Sequence, residues 1–557
     1  MLICGIKVSH DGGVALIEDD RVLFSIEVEK LANSPRHSSL GDLSRVAQLL
    51  RAEGVDPDDV DQFVVDGWVG EDGDLEATEP AVLAVNHDGT AKRIRVAPYQ
   101  DRPADRNPLR RHVSNDHSFA ARGGGYASYH HASNHLVGAY TASPAAARGE
   151  DAWVLVWDGG IVPRLYEVNA AQRSIVPVAA LLPLTGNSFG DFSGQFEPYW
   201  RSTDGMTADE IWRYRLSIAG KAMAYAALGS VEESAFGVFA DLLNEFPSAA
   251  HGNAKLLAEK VANNRDELFP GMSNASLIAT FQAYLGSLLV KRLTAVAGPR
   301  PKCLVMAGGC ALNIKWNTQL RSSGLFEEVW VPPFPNDSGA AIGTAACEMF
   351  VRGYSALRWD VYSGPRIAVG DVPAGWDVTS CTEQELASIL HREGEPVTVL
   401  SGRAEIGPRA LGNRSILAPA TDPNMKDTLN RAKDRAPYRP VAPICLQDRA
   451  AEVFSPGGTD LHMLFEHRLR PGWSERVPAV IHLDGTVRLQ TIERTGPSAA
   501  SRILAAYEQI SGIPVLCNTS ANHNGCGFFP DVASAAGWGR TRRIWSDGHI
   551  YTRASGS

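Results

Sequence analysis

Seven residues, "YHHASNH" from Tyr129 to His135, hold three of the 15 histidines in a chain of 557 residues. In a helix His131 and His135 share one face, and a spacing of four suits two ligands of a single metal ion. His130 points roughly 100° away, which makes it a neighbour rather than a ligand. Pairs like this also arise by chance on ordinary helices, so further ligands have to be found. Carboxylates where a strand runs into a loop are the natural supply for a borderline metal such as iron, zinc or manganese. Asp158 in "WDGG" and Asp337 in "PNDSGAA" qualify. Each has a plainer reading, Asp158 as a turn residue and Asp337 as a helix N-cap. Four residues from three segments are stronger together than any pair.

Two further motifs could handle phosphate. "MAGGCALN", Met306 to Asn313, follows a strand and opens a helix, a geometry that turns backbone amides toward a nucleotide; a tight strand-helix turn reads the same way. It lacks the lysine of a P-loop and the spacing of a dinucleotide fingerprint. "GRAEIGPRALGNRS" and "NRAKDRAPYRPVAP" gather Arg403, Arg409, Arg414, Arg431, Lys433, Arg435 and Arg439. A solvated basic face is the usual explanation of such a run. Here the charges sit among glycine and proline rather than along a helix stripe, and forked guanidiniums in glycine loops suit phosphate oxygens.

The elements that must position these groups form an α/β pattern. "LICGIKVSHDGGVALIEDDRVLFSIEVEK" reads as three apolar strands joined by turns, a compact antiparallel start. "DAWVLVWDGGIVPRLYEVN" repeats the strand-DGG-strand unit, which predicts an internal duplication. Between them, "VSNDHSFAARGGGYASYHHASNHLVGAYTAS" begins as a Gly-rich loop and continues as a helix of small residues whose packing partners must come close. From about Leu216 to Val351 helical stretches alternate with the strand "KCLVMAGG" and a helix entered at "PNDSGAA". Pro and Gly then mark a linker at 356–375, separating a first domain, 1–355, from a second, 376–557.

Composition narrows the classes. The length implies more than one core. A net charge of -10 gives no general attraction to nucleic acid or to anionic membranes. No run approaches the ~18 apolar residues of a membrane span, and no leader is evident, so a cytoplasmic location is expected. Eight cysteines without a C-x-x-C pair argue against a zinc knuckle or a disulfide framework and suggest reduced, buried thiols.

With "HDGG", "HHASNH", "WDGG", "GKAMAYAALG", "AGGCALN", "PNDSGAAIGTA", "GPRALGNRSI", "RPVAP", "HLDGTVRLQT" and "PVLCNTSAN" together, the sequence resembles the O-carbamoyltransferase family of nodulation, cephamycin and tobramycin biosynthesis. The likeness spans nearly the whole chain. It implies an N-terminal duplicated actin-like ATPase lobe, similar to the transferase subunit of tRNA threonylcarbamoyl-adenosine synthesis, and a C-terminal YrdC-like α/β domain. The resemblance further implies that the second domain makes carbamoyladenylate from ATP and carbamoyl phosphate, and that the first transfers the carbamoyl group to an acceptor hydroxyl.

By the same resemblance His10 would be the base. His131, His135, Asp158 and Asp337 would hold a divalent metal, Fe2+, with Mg2+ accompanying ATP. Gly308, Gly309 and Asn313 would contact the nucleotide. Lys433, Arg439, Arg488 and Ser520 would cradle carbamoyl phosphate and the ATP phosphates, with Arg409, Arg414 and Asn518 close by. A homodimer is compatible with the resemblance. The usual E-E-R motif is "EVEKL" here, and Ala219 replaces a Glu before "GKAMAYAALG", which bears on the acceptor side. The start, through "SPRHS", resembles the ansamycin branch, whose acceptors are polyketide macrolactams; an aminoglycoside or other sugar hydroxyl is the second expectation. Two other classes stay in view, a sugar-kinase-like phosphotransferase and a non-catalytic nucleotide- or RNA-binding module.

Overall fold

The structure is a computed structural model that describes residues 1–71, 73–101, 107–119, 125–245, 253–368 and 370–554. The Gly-rich loop read around 122–124 lies outside the described residues. The chain divides into two compact units, Met1–Val28 with His37–Asp360, and Glu29–Arg36 with Val361–Ser557.

The first unit contains one strand pattern twice. Leu2–Lys7 (β1), Gly13–Glu18 (β2) and Arg21–Glu27 (β3) form an antiparallel meander; Gln62–Asp66 (β4) and Tyr126–Tyr129 (β5) then join in parallel beyond β1, with His112–Ser114 at the edge. Ala152–Val156 (β6), Arg164–Asn169 (β7) and Ser174–Ala180 (β8) repeat the meander. Cys303–Ala307 (β9) and Glu328–Trp330 (β10) complete that sheet in the same order and directions. Both central strands are buried on both faces and so read as continuous apolar runs rather than alternating ones.

Helices occupy the space against these sheets. His131–Thr141 (α1) is buried along its whole length. It crosses Ala340–Val351 (α5) at glycines: a Cβ on Gly138 would fall 2.8 Å from Gly343 Cα, and one on Gly343 would fall 2.3 Å from Asn134 O. This close crossing is what the small-residue helix required. Ala208–Tyr225 (α2) opens with a Thr207–Glu210 capping box, and Asn274–Ala295 (α3) and Ile314–Ser322 (α4) follow.

The second unit is a mixed eight-stranded sheet. Its strands are Trp376–Ser380 (β11), Val397–Leu400 (β12), Arg414–Pro419 (β13), Ala442–Leu446 (β14), Gln490–Ile492 (β15), Val515–Ser520 (β16), Arg543–Ser546 (β17) and His549–Arg553 (β18), in the order β11-β18-β17-β12-β13-β16-β14-β15. Glu383–Glu393 (α6), Met425–Ala432 (α7) and Ala499–Ser511 (α8) accompany it. Leu386, Val399, Ile416, Leu504 and Val515 are all fully buried in its core.

Residues 29–36 belong to this second unit although they lie near the start of the chain. The buried Lys30 ammonium donates to Glu405 O at 2.6 Å and Gly407 O at 2.8 Å, and the Arg36 N–H donates to Gly525 O at 2.8 Å. All eight cysteines are free and seven are buried. No described helix is long and apolar enough to cross a membrane.

Candidate functional site

Strand ends and one helix assemble the site in the first unit. His131 and His135 stand one turn apart on α1, and their Nε2 atoms face each other at 3.1 Å. Asp337, in a short turn entering α5, places Oδ1 3.4 Å from each Nε2. Asp158, just beyond β6, places its oxygens 3.7 Å from each. These four ligand atoms all lie within 4.8 Å of one another, and all four residues are buried. Ligands held tetrahedrally at ~2.1 Å stand roughly 3.4 Å apart, so the spacing fits one ion. Charge agrees: Asp66, Asp158 and Asp337 share this buried region with one ammonium, Lys7. A divalent cation would balance the excess negative charge.

Neighbours orient the set. Gly309 N–H donates to Asp158 Oδ1 at 2.6 Å and the Tyr99 hydroxyl to Oδ2 at 3.3 Å. Gly308 has φ +88°, and a Cβ there would fall 2.4 Å from Trp157 O, so the turn that brings Gly309 to Asp158 needs glycine. Asn313 caps α4, its Oδ1 accepting from Lys315 N–H at 3.1 Å and from Gln282 Nε2 at 3.0 Å. His130 turns away and donates Nδ1–H to Pro98 O at 3.0 Å. His10, in the turn after β1, has its Nε2 3.5 Å from Asp337 Oδ2 and its ring against Trp68 and Trp212, with centroids at 5.1 and 5.8 Å.

Two residues here escaped the sequence reading. Asp66, ending β4, lies 3.0 and 3.1 Å from His131 Nδ1; it accepts a hydrogen bond from that N–H and leaves Nε2 for the cluster. Lys7 Nζ, fully buried at the end of β1, is 2.6 Å from Asp66 and 3.0 Å from Asp337. Burial would push the Lys7 ammonium down, but Asp337 and Asp66 outweigh it and hold its pKa above the ordinary value. For Asp66 burial works upward, and His131 and Lys7 hold it below the usual carboxylate range. Asp66 closes "FVVDG", the same strand-into-Asp-Gly pattern that marked Asp158, so its signal was present. Lys7 carries no local signal.

In the second unit a cluster of cations lies around the loop between β12 and β13 and the end of β16. Arg409, Arg435 and Arg488 each keep a buried Nε with no protein partner among the described residues. Burial, then Arg488, Arg36 and Arg439, pushes the Arg409 guanidinium well below its ordinary value. Burial and the same crowding bring Arg435 down to about 9; burial and then Arg439 bring Arg488 to about 10. Guanidiniums that repel one another in this way could hold an anion, whose charge would offset the repulsion. Arg36, from the 29–36 segment, is the member that the sequence reading missed.

The remaining residues frame this cluster. Lys433, at the end of α7, donates to Ser520 O at 2.5 Å and Asn522 O at 2.7 Å. The Ser520 hydroxyl donates to Asn522 Oδ1 at 2.8 Å. Asn518 Nδ2 donates to Gln490 Oε1 at 2.7 Å and to Ala410 O at 3.1 Å. The Arg439 carbonyl accepts from Asn430 Nδ2 at 2.8 Å. Arg414 is buried, and its guanidinium donates to the carbonyls of Ser401, Asn413, Gly402 and Pro365, which holds the 401–413 loop in shape. Arg431 is exposed.

Comparison with known proteins places both units. Residues 2–347 match the family described as Carbamoyltransferase N-terminus and residues 387–542 the one described as Carbamoyltransferase C-terminus. Nodulation protein U of Sinorhizobium fredii is 44% identical over 573 residues, covering 100% of both chains. The 3'-hydroxymethylcephem-O-carbamoyltransferase of Streptomyces clavuligerus is 32% identical over 572 residues, again covering 100% of both. Among solved structures, a Balamuthia mandrillaris glucokinase aligns over 63% of this chain and 93% of its own at 11% identity, with a TM-score of 0.25, a likeness too slight to bear on function. The match over both units decides against the non-catalytic and sugar-kinase readings: the chain belongs to the carbamoyltransferase family and is an enzyme of the O-carbamoyltransferase class.

Proposed function

We propose that this enzyme carbamoylates a hydroxyl of a natural product in two half-reactions, one in each unit. The convergence of His131, His135, Asp158 and Asp337 within 4.8 Å, with His10 Nε2 3.5 Å from Asp337, carries the reading. The second unit, read as YrdC-like, makes carbamoyladenylate from carbamoyl phosphate and ATP. The crowded guanidiniums of Arg409, Arg435, Arg439 and Arg488, with Lys433 and Ser520, suit the phosphates; Arg414 and Asn518 hold the loop and strand that present them. The first unit, whose repeated strand order supports a duplicated actin-like ATPase lobe, receives the adenylate.

There Gly308, Gly309 and the Asn313 turn would contact the nucleotide. His131, His135, Asp158 and Asp337 would hold a divalent metal, with Fe2+ the expected ion, which would supply positive charge to the adenylate phosphate and favour AMP as leaving group. His10 takes the acceptor proton at Nε2. The acceptor oxygen then bonds to the carbamoyl carbon, the bond from that carbon to the phosphate oxygen breaks, and AMP departs. The N-terminal segment supports an ansamycin-type macrolactam as acceptor, with an aminoglycoside as the alternative.

The test is an assay of the full chain with carbamoyl phosphate, ATP and a panel of a hydroxylated macrolactam, an aminoglycoside and 3'-hydroxymethylcephem. AMP and pyrophosphate should form only with carbamoyl phosphate, and one acceptor should gain one carbamoyl group by mass. Formation of ADP alone would sink the proposal.

A further inference from the structure

We infer that Asp11 and His37 are a positioning pair that fixes which nitrogen of His10 is basic. Two loops are tied together to build it. Gly12 N–H donates to Ser38 O at 2.8 Å and Leu40 N–H to Val8 O at 3.0 Å. A Cβ on Gly12 would fall 2.1 Å from Leu40 N, so the first glycine of "HDGG" is required for the loops to meet. The contact delivers His37 to Asp11. Both are non-glycine residues at positive φ, 54° for Asp11 and 63° for His37, a conformation that side chains adopt where surrounding structure imposes it.

The side chains then form a line. Asp11 Oδ2 is 2.9 Å from His10 Nδ1; His37 Nδ1 is 3.1 and 3.0 Å from Asp11 Oδ1 and Oδ2. An ionised carboxylate only accepts, so both Nδ1 atoms carry the proton. Burial pushes the Asp11 carboxyl up, but the imidazoles of His37 and His10 outweigh it and keep it well below the usual range. In neutral His10 the lone pair is therefore on Nε2, the atom 3.5 Å from Asp337 and beside the metal cluster. Trp68 meets the His10 ring nearly edge-on, at 77°, and limits its rotation. His37, which reaches both oxygens of Asp11, holds the carboxylate that holds the base.

This deepens the reading of His10 as the base and rests on it for its catalytic meaning. The test uses the full chain loaded with zinc, a diamagnetic probe, and labelled with 15N-histidine. In the parent protein NMR should show His10 protonated at Nδ1 and bare at Nε2. His37→Ala and Asp11→Asn should give mixed tautomers of His10, and His37→Asn, which keeps a donor near the Nδ1 position, should restore the single form. AMP release from carbamoyl phosphate and ATP, with water as the only acceptor, should fall about tenfold in His37→Ala and recover in His37→Asn. His10→Ala and the His10/His37 double variant should be equally slow, because His37 acts through His10.

An unchanged His10 tautomer in both His37→Ala and Asp11→Asn would overturn the proposal. So would two bound zinc ions in the parent falling to one in His37→Ala, which would make the cluster a second cation site. Unchanged AMP release in His10→Ala with the tautomer shift intact would instead remove the base reading and leave the positioning geometry standing.

Discussion

Replacing Lys7 with methionine tests the charge balance of the His131, His135, Asp158 and Asp337 cluster most directly. The side chain keeps similar bulk and loses the ammonium that lies 2.6 Å from Asp66 and 3.0 Å from Asp337. Removing one partner of a buried ion pair costs about 3–5 kcal/mol, because the other charge is left unpaired. Here two carboxylates lose their cation, so the metal-free variant should lose about 4–5 kcal/mol. The same change should strengthen metal binding, since a divalent ion then replaces the missing charge. At 100 times its dissociation constant a ligand stabilises the folded state by about 2.7 kcal/mol, so added zinc should recover more than half of the loss. The assay is urea denaturation with and without zinc, alongside chelator competition for zinc affinity. A loss under about 1 kcal/mol without metal, or weaker zinc binding in Lys7→Met, would refute the reasoning.

Four other outcomes follow from the same geometry. His131→Ala and His135→Ala should lose bound metal while His130→Ala retains it, by metal analysis of the purified proteins; equal retention in all three would contradict the assignment. Gly343→Ala puts a Cβ 2.3 Å from Asn134 O and should cost about 1–3 kcal/mol by overpacking, with weaker metal binding, whereas Gly220→Ala, with nothing within 4 Å, should gain up to ~1 kcal/mol from helix propensity. Inorganic phosphate, compared with chloride at equal ionic strength, should raise the thermal midpoint of the parent and raise it less in Arg409→Ala or Arg488→Ala. His112 is pushed down to about 4 by burial, His130 and Arg110; its unfolded form protonates near ~6.5. The folded state therefore binds fewer protons between those values, stability falls as pH drops through that window, and His112→Asn should flatten the slope in denaturation curves taken at pH 7 and 4.5.

Local spacing carried much of the site. An i, i+4 histidine pair has to share a helix face, Asp158 follows a strand and Asp337 stands at the entry to a helix, so their convergence could be read from three short segments. The strand-DGG-strand repeat likewise anticipated two sheets of one order. What stayed hidden depends on sheet order and loop pairing. Lys7 meets Asp66 across 59 positions and Asp11 meets His37 across 26, and neither distance leaves a local pattern. Lys7 was hardest to see because a lysine at a strand end ordinarily reaches water; only the placement of Asp66 and Asp337 makes burial there tolerable. Arg36 was missed because it sits in the N-terminal stretch of the sequence while its cationic neighbours come from the far half.

The segment 29–36 also makes the chain indivisible. Eight residues of the second unit are synthesised before nearly all of the first, so no single cut separates the two units with each complete. A fragment ending near 360 would carry Lys30 without Glu405 and Gly407, and a fragment starting there would lack both Lys30 and Arg36. During synthesis this strip must wait for more than three hundred residues before its partners exist. Gene fission, domain exchange between relatives and expression of the second unit alone would each have to carry the strip along.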